Sequence, residues 1–155
     1  MATELTPGVF TKLCTEIAAE TRRKSAKTLT ELALTIEKQA KINASNGAHK
    51  VGTRTPALPG EGPAVISGNL RRAITHTAVR TVGDTLEILV GTAVGFPSSY
   101  GSKTPANKYG YYLEVAGLVN GAKYPFLQPA FRFAMGVPAS LIYAKNFGAG
   151  WKTLI

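Results

Sequence analysis

Residues 9–46 read VFTKLCTEIAAETRRKSAKTLTELALTIEKQAKINASN, a run without glycine or proline in which strong helix formers dominate. Such a run predicts one helix of about 37 residues and ~55 Å. Thr6 is the expected N-cap and Pro7 the first helical residue, where a missing N–H costs nothing; Asn46-Gly47 supplies a left-handed stop. Phe10, Leu13 and Ile17, then Leu29, Leu32, Ile36 and Ala40, recur at spacings of three and four, which puts them on one face. Between these two apolar patches the helix turns polar, with Thr21, Arg22, Arg23, Lys24, Ser25 and Lys27. This basic waist is either a solvated stretch between two packed halves or a surface for a neighbouring subunit or DNA. A helix this long outreaches a compact domain of this size, so it is expected to touch something outside its own fold.

Outward from the helix, the chain reads as a single domain over residues 1–155, in the size range where one core is the rule. Residues 47–63 carry four glycines and three prolines with Lys50 and Arg54, a composition that resists helix and sheet and predicts a flexible arm. Residues 64–135 hold the core sheet and helices. Ser67–Ile74 is expected as a short helix capped by Ser67 or Asn69. Thr75–Val82 and Leu86–Val90 flank Gly83-Asp84 as a β-hairpin. Residues 91–108 read as a second long loop, and Tyr109–Val115 as a third strand or a short aromatic helix. Phe126–Met135 predicts a helix, Gly136-Val137-Pro138 a break, and Pro138 the start of another helix to about Asn146. Within 136–155 this last helix precedes an apolar tail, Trp151–Ile155, expected to dock rather than float. The fold class is therefore α+β: a long N-terminal helix and a C-terminal helix packed on a small antiparallel sheet, with long loops.

The formal charge of +9, from 18 basic and 9 acidic residues, favours acidic partners. Only Arg22-Arg23-Lys24 and Arg71-Arg72 are adjacent, and neither is flanked by aromatics that could stack on bases, which argues against a dedicated single-strand binder. No apolar run nears the ~20 residues that cross a bilayer, so no membrane partner is expected. Met1–Pro7 lacks the basic start and apolar core of a secretory signal, from which synthesis and residence in a cytoplasm are expected.

Chemistry has little to draw on. Cys14 is the sole cysteine and follows Leu13 on the helix, where a small buried or half-buried hydrophobe is expected rather than a nucleophile. Gly60-Glu61-Gly62-Pro63 lacks a following Gly-Lys-Ser/Thr and reads as a turn, not a phosphate cradle. After Glu87 only Glu114 remains acidic, too few carboxylates for an acid/base pair or a metal cage. His49 and His76 are expected to be solvated or packed. No catalytic residue, cofactor or metal site is assigned, and the chain is expected not to be an enzyme.

Pro63–Ile74, containing Ser67-Gly68-Asn69-Leu70-Arg71-Arg72-Ala73-Ile74, resembles the "Thr/Ser-Gly-x-Leu-Arg-x-Ser/Ala-Ile" element of phage neck and tail-completion proteins of the head-tail connector class. Tyr124–Phe131 is similar to that family's "Pro-Phe-Leu-x-Pro-Ala" element, and Tyr109–Glu114 occupies the place of its "Tyr-Ala-x-x-Val/Leu-Glu" stretch. The family usually continues Phe/Tyr-Gly-Thr after the glutamate, where this chain has Val115-Ala116-Gly117. The resemblance implies a structural virion protein at the head–tail junction, made in the host cytoplasm and assembled as a tail-terminator-like ring of six copies. Adjoining head-completion, stopper or tail-tube proteins would be its neighbours, and genomic DNA would pass through or nearby. Gly68, Leu70, Tyr112, Pro125, Phe126, Leu127 and Pro129 are the family-motif positions with a structural role. Glu114 is expected to pair with Arg71 or Arg72, within the subunit or across an interface. Arg22, Arg23, Lys24, Lys50 and Arg54 are the candidate contacts to an acidic neighbour or to DNA. The second possibility is a sequence-independent nucleic-acid-binding protein, recognisable by a steep dependence on salt.

Overall fold

Proline at the first turn of a helix forfeits no hydrogen bond, and α1 begins on it: Pro7–Asn43 is one unbroken helix in the computed structural model, which describes residues 7–46, 57–65, 67–95, 104–117 and 121–148. Threonines would ordinarily weaken so long a helix, but Thr28, Thr30 and Thr35 turn their hydroxyls onto the carbonyls four residues back, at 2.9 Å each. The helix stops three residues before the expected Asn46. Ala44 and Ser45 close a last turn onto Ala40 and Ile42, and Asn46 N–H donates to the Pro63 carbonyl, so a neighbouring segment takes up the backbone at the end of the helix. Thr6, Gly47, Lys50 and Arg54 lie outside the described residues, as do His49 and the tail Trp151–Ile155.

Beyond α1 come α2 (Asn69–Ala73), four three-residue strands, α3 (Ala106–Tyr111) running directly into a π-helical turn (Tyr112–Ala116), α4 (Leu127–Ala134) and α5 (Val137–Phe147). The strands form one long interrupted hairpin. β1 (Ile74–His76) pairs with β4 (Val90–Thr92), and β2 (Arg80–Val82) with β3 (Thr85–Glu87), both antiparallel, around Gly83 at φ 58°. Between the two ladders Thr77 N–H still reaches the Leu89 carbonyl at 2.9 Å, and Thr77 Oγ1 accepts from Leu89 N–H at 3.1 Å. The expected hairpin and its turn are thus present, and the class is α+β.

Two expectations change, and one pair of alternatives is decided. The loop at 91–108 is shortened by α3, which Pro105 opens as N-cap residue. Of the two alternatives for Tyr109–Val115, a strand or a short aromatic helix, the helix is the one formed. The N-cap of α2 is Gly68 at φ 73°, while Ser67 Oγ accepts only a 3.3 Å bond from Asn69 N–H; the left-handed backbone at 68 does what a capping side chain was expected to do.

The core lies where α1 crosses α4 and the base of the hairpin. Among the described residues seven of its ten buried apolar residues are alanines, so helices approach closely while little apolar area is enclosed. Phe126, Ile74 and Leu113 are the large side chains wholly inside, gathered with Ala40, Ala44 and Ala130 and flanked by Leu70, Tyr109, Tyr124 and Leu127. Packing of α1 is chiefly on α4 and then on α5. The buried residues of α1, Thr28, Ala33 and Ala40, all lie in its second half. Pro7–Lys12 are exposed throughout, and about 30 Å of helix separates Pro7 from Thr28.

Candidate functional site

The three motif segments, far apart in sequence, converge in this core. Leu70 and Ile74 come from the first, Tyr109 and Leu113 from the second, Phe126 and Leu127 from the third. The second and third are joined by one carboxylate. Glu114 sits in the π-helical turn, where the widened spacing turns its side chain onto the start of α4. Its Oε2 accepts from Phe126 N–H at 2.7 Å and Leu127 N–H at 3.0 Å, and its Oε1 from Gln128 N–H at 2.7 Å. Tyr124 N–H donates to the Leu113 carbonyl at 2.8 Å, and Asn43 Nδ2 to the Phe126 carbonyl at 3.0 Å, so the α4 start is pinned from both sides.

This corrects the expected pairing of Glu114 with Arg71 or Arg72 inside the subunit. The first turn of α4 has no side-chain cap of its own, and three orphan N–H groups at the positive end of a helix outcompete a solvated guanidinium for a carboxylate. Arg71 instead approaches Ser45 Oγ at 3.5 Å, and Arg72 donates to the Ser67 carbonyl at 3.0 Å. Pro125 is half-buried beside buried Phe126, consistent with a fixed approach to α4, while Tyr112 and Pro129 are exposed.

The basic waist is partly neutralised. Arg23 binds Glu20 through two bonds at 2.8 and 2.9 Å, which holds the carboxyl of Glu20 below its ordinary range, and Lys24 lies 3.8 Å from the same carboxylate. Arg22 reaches Thr81 Oγ1 on β2 at 2.7 Å. The waist therefore ties the hairpin to α1. Glu20, one turn ahead of the basic run, is the signal that sequence reasoning passed over.

A denser set of cations lies elsewhere. An open cleft of about 960 Å³ runs between the second half of α1 and α2, walled by Lys38, Lys41, Arg71 and Arg72 with exposed Leu34 and Ile42 on its floor. Its one acid, Glu37, is held by Lys41 and by His76 Nδ1. Burial works to raise the Glu37 pKa, but the hydrogen bonds from Lys41 and His76 and their charge outweigh it and leave the carboxyl below its ordinary value. His76 is thus packed against α1, its ring nitrogen bonded to Glu37.

Opposite this cleft is an apolar groove of about 610 Å³, formed by Leu29, Leu32 and Ile36 of α1, Ile88–Val90 of the hairpin, and Phe131 and Met135 at the end of α4. Leu89, Phe131 and Met135 are each about half exposed there. The outward faces of α4 and α5 add Phe133, Val137, Leu141 and Tyr143, also exposed. Cys14 is exposed too, against expectation: the patch of α1 that carries it has no described element packed over it deeply enough to bury it.

Glu114 and His76 are committed to different partners, so no polar cleft unites them. Among the described residues, no group of three or more His, Cys, Asp or Glu could hold a metal ion, and no helix is long and apolar enough to cross a membrane. Comparison with protein-family models, with curated proteins and with solved structures matches this chain to none of them.

Proposed function

We propose that this chain is a structural subunit of the head–tail junction of a long-tailed phage, closing with copies of itself into a ring that leaves a passage for DNA. The observation that carries an assembly role is the start of α1: about 22 Å of helix from Pro7 to Arg22, where α1 bonds to the hairpin, with Val9 and Phe10 exposed. Exposed apolar side chains on α4 and α5 and the uncovered groove add to it, since a lone domain rarely leaves so much apolar surface in water. The resemblance of the three motif segments supplies the phage junction. That those segments meet in one core, with Glu114 holding two of them together, fits their role as scaffold.

Mass in solution together with negative-stain images of the purified chain tests this. Closed rings with a central opening are expected, and a monodisperse monomer at micromolar concentration refutes the role. A sequence-independent grip on nucleic acid is the second possibility, and the cleft of Lys38, Lys41, Arg71 and Arg72 favours it. DNA retention that survives only at low salt, with a slope set by the number of phosphates met, would identify that activity.

A further inference from the structure

The two uncovered apolar features of this chain are complementary, and the geometry points to one filling the other between copies: we infer that the N-terminal ridge of α1 from one subunit docks in the apolar groove of the next. The ridge consists of Phe10, Leu13, Cys14 and Ile17 on one helical face, with Val9 at its edge. Val9, Phe10 and Cys14 are exposed, and Leu13 and Ile17 are half-buried. Its spacing of three, four and seven residues is that of a helix laid into a groove. The groove is apolar along its floor and walls, and Leu89, Phe131 and Met135 stand half out of it.

The contact must be intermolecular. Ile17 and Leu29 belong to the same unbroken helix, and about 18 Å of rigid helix keeps the ridge from folding back onto its own groove. A second copy brings both parts in each subunit. It gives a ridge on one side and receives one on the other, which covers both surfaces in one kind of contact. Because ridge and groove are different patches, the contact is head-to-tail, the kind that repeats around a ring. Glu16 and Glu20 are paired along the same helix, with Lys12 at 4.0 Å and Arg23 at 2.8 Å, so docking of the ridge need not break either exposed pair.

This inference rests on the assembly role proposed above, and the test separates the two. Cys14 is the only native cysteine and lies within the ridge, so it serves as the probe. Met135→Cys and Leu89→Cys each add one thiol to the groove, and the purified variants are oxidised with copper-phenanthroline and run on a non-reducing gel. A ladder of disulfide-linked chains longer than dimers is expected for at least one variant. It should be absent from the native chain and from the same variants carrying Cys14→Ser. Rings with no ladder from either variant overturn the ridge-in-groove contact while leaving the assembly role standing; the absence of any oligomer overturns both.

A groove covered instead by residues of its own chain is detected with Trp151→Cys in a Cys14→Ser, Met135→Cys background. An internal cross-link without loss of oligomer there overturns the inference. A non-covalent check uses Phe10→Asp, which alters an exposed residue and should leave the circular dichroism spectrum unchanged. It should weaken subunit association at least about tenfold. Unchanged association overturns the inference.

Discussion

Removing the carboxylate at position 114 should cost more stability than any other single change at an incompletely buried side chain in this protein. Glu114→Ala leaves three N–H groups at the start of α4 without an acceptor. Loss of an ordinary helix cap costs about 1 kcal/mol, and a buried donor left unsatisfied about 1–3 kcal/mol. Water can reach Gln128 N–H, whereas the Phe126 and Leu127 bonds are part-buried. The favourable placement of a negative charge at a helix N-terminus, worth about 0.3–1 kcal/mol, is lost as well. The sum is about 3 kcal/mol for Glu114→Ala. Glu114→Gln keeps one acceptor oxygen but turns an amide donor toward the remaining N–H groups, and should cost about 2 kcal/mol. For a chain of this length that corresponds to a fall of roughly 6–12 °C in melting temperature for the alanine variant. The measurement is thermal and urea unfolding at one fixed protein concentration, because association shifts apparent stability. A double-mutant cycle with Arg71→Ala should be additive within about 0.5 kcal/mol, since Arg71 approaches Ser45 instead. Either variant unfolding within 0.5 kcal/mol of the native chain, or strong coupling to Arg71, would refute the capping role.

A methyl group at Gly62 would stand 1.9 Å from the Asn43 carbonyl oxygen, so Gly62→Ala must displace the end of α1 and should cost about 2–3 kcal/mol, read from the urea midpoint. Glu37, depressed below its ordinary 4.5, contributes stability that is present above that value and lost as pH falls through the lower, folded one. Glu37→Gln should therefore be less stable than the native chain at neutral pH and should flatten the decline below about pH 4.5, measured by unfolding across that range. Replacing Lys38, Arg71 and Arg72 by serine should leave the mass of the oligomer unchanged and reduce the salt dependence of DNA retention if the cleft meets phosphates, by about 0.9 in log–log slope for each phosphate contact removed. Neutralising Arg22, Arg23, Lys24, Lys50 and Arg54 together should impair head–tail joining in a complementation assay. Arg23→Gln alone should have a small effect, because Glu20 already occupies that guanidinium.

What could be read from residue order was whatever is decided locally. An uninterrupted run of helix formers after Pro7 makes α1 regardless of what surrounds it, and the Gly83-Asp84 turn sets the hairpin because φ near 58° is cheap only for glycine. Errors fell where a distant group decides. The Ser- and Pro-rich residues 91–108 suggested a loop up to the edge of Tyr109–Val115, the segment that holds Gly110. In the fold Gly110 is helical and buried, and a methyl there would lie 3.1 Å from Thr92 Cγ2 and 3.3 Å from Leu70 Cδ1; the glycine serves close approach, not a turn. The scarcity of acids pointed to Glu114, but its partner depends on α4. A usable signal was present: Tyr124-Pro125-Phe126 offers no Ser, Thr, Asp or Asn to cap the helix that follows, so an acceptor from elsewhere in the chain was needed. Cys14 illustrates the remaining difficulty. A periodic apolar stripe says which face is to be covered, and not whether the cover belongs to the same chain.

That distinction bears on how the protein holds together. Alanines dominate the enclosed core, and an alanine removes far less apolar surface from water than the Phe, Leu, Met and Tyr side chains left outside on α4, α5 and the hairpin. Close helix contact through small residues fixes geometry well but contributes modest free energy, and domains of this size have only about 5–15 kcal/mol of stability in total. Under the proposed assembly, the large side chains left exposed on α4, α5 and the hairpin would gain their burial when copies meet. Folding and assembly are then linked by mass action, so the unfolding temperature of the native chain should rise with protein concentration until the oligomer is saturated. For the Phe10→Asp chain the same rise should be displaced to at least about tenfold higher protein concentration. A native melting point independent of concentration over a hundredfold dilution that dissociates the oligomer would mean that the alanine core suffices by itself.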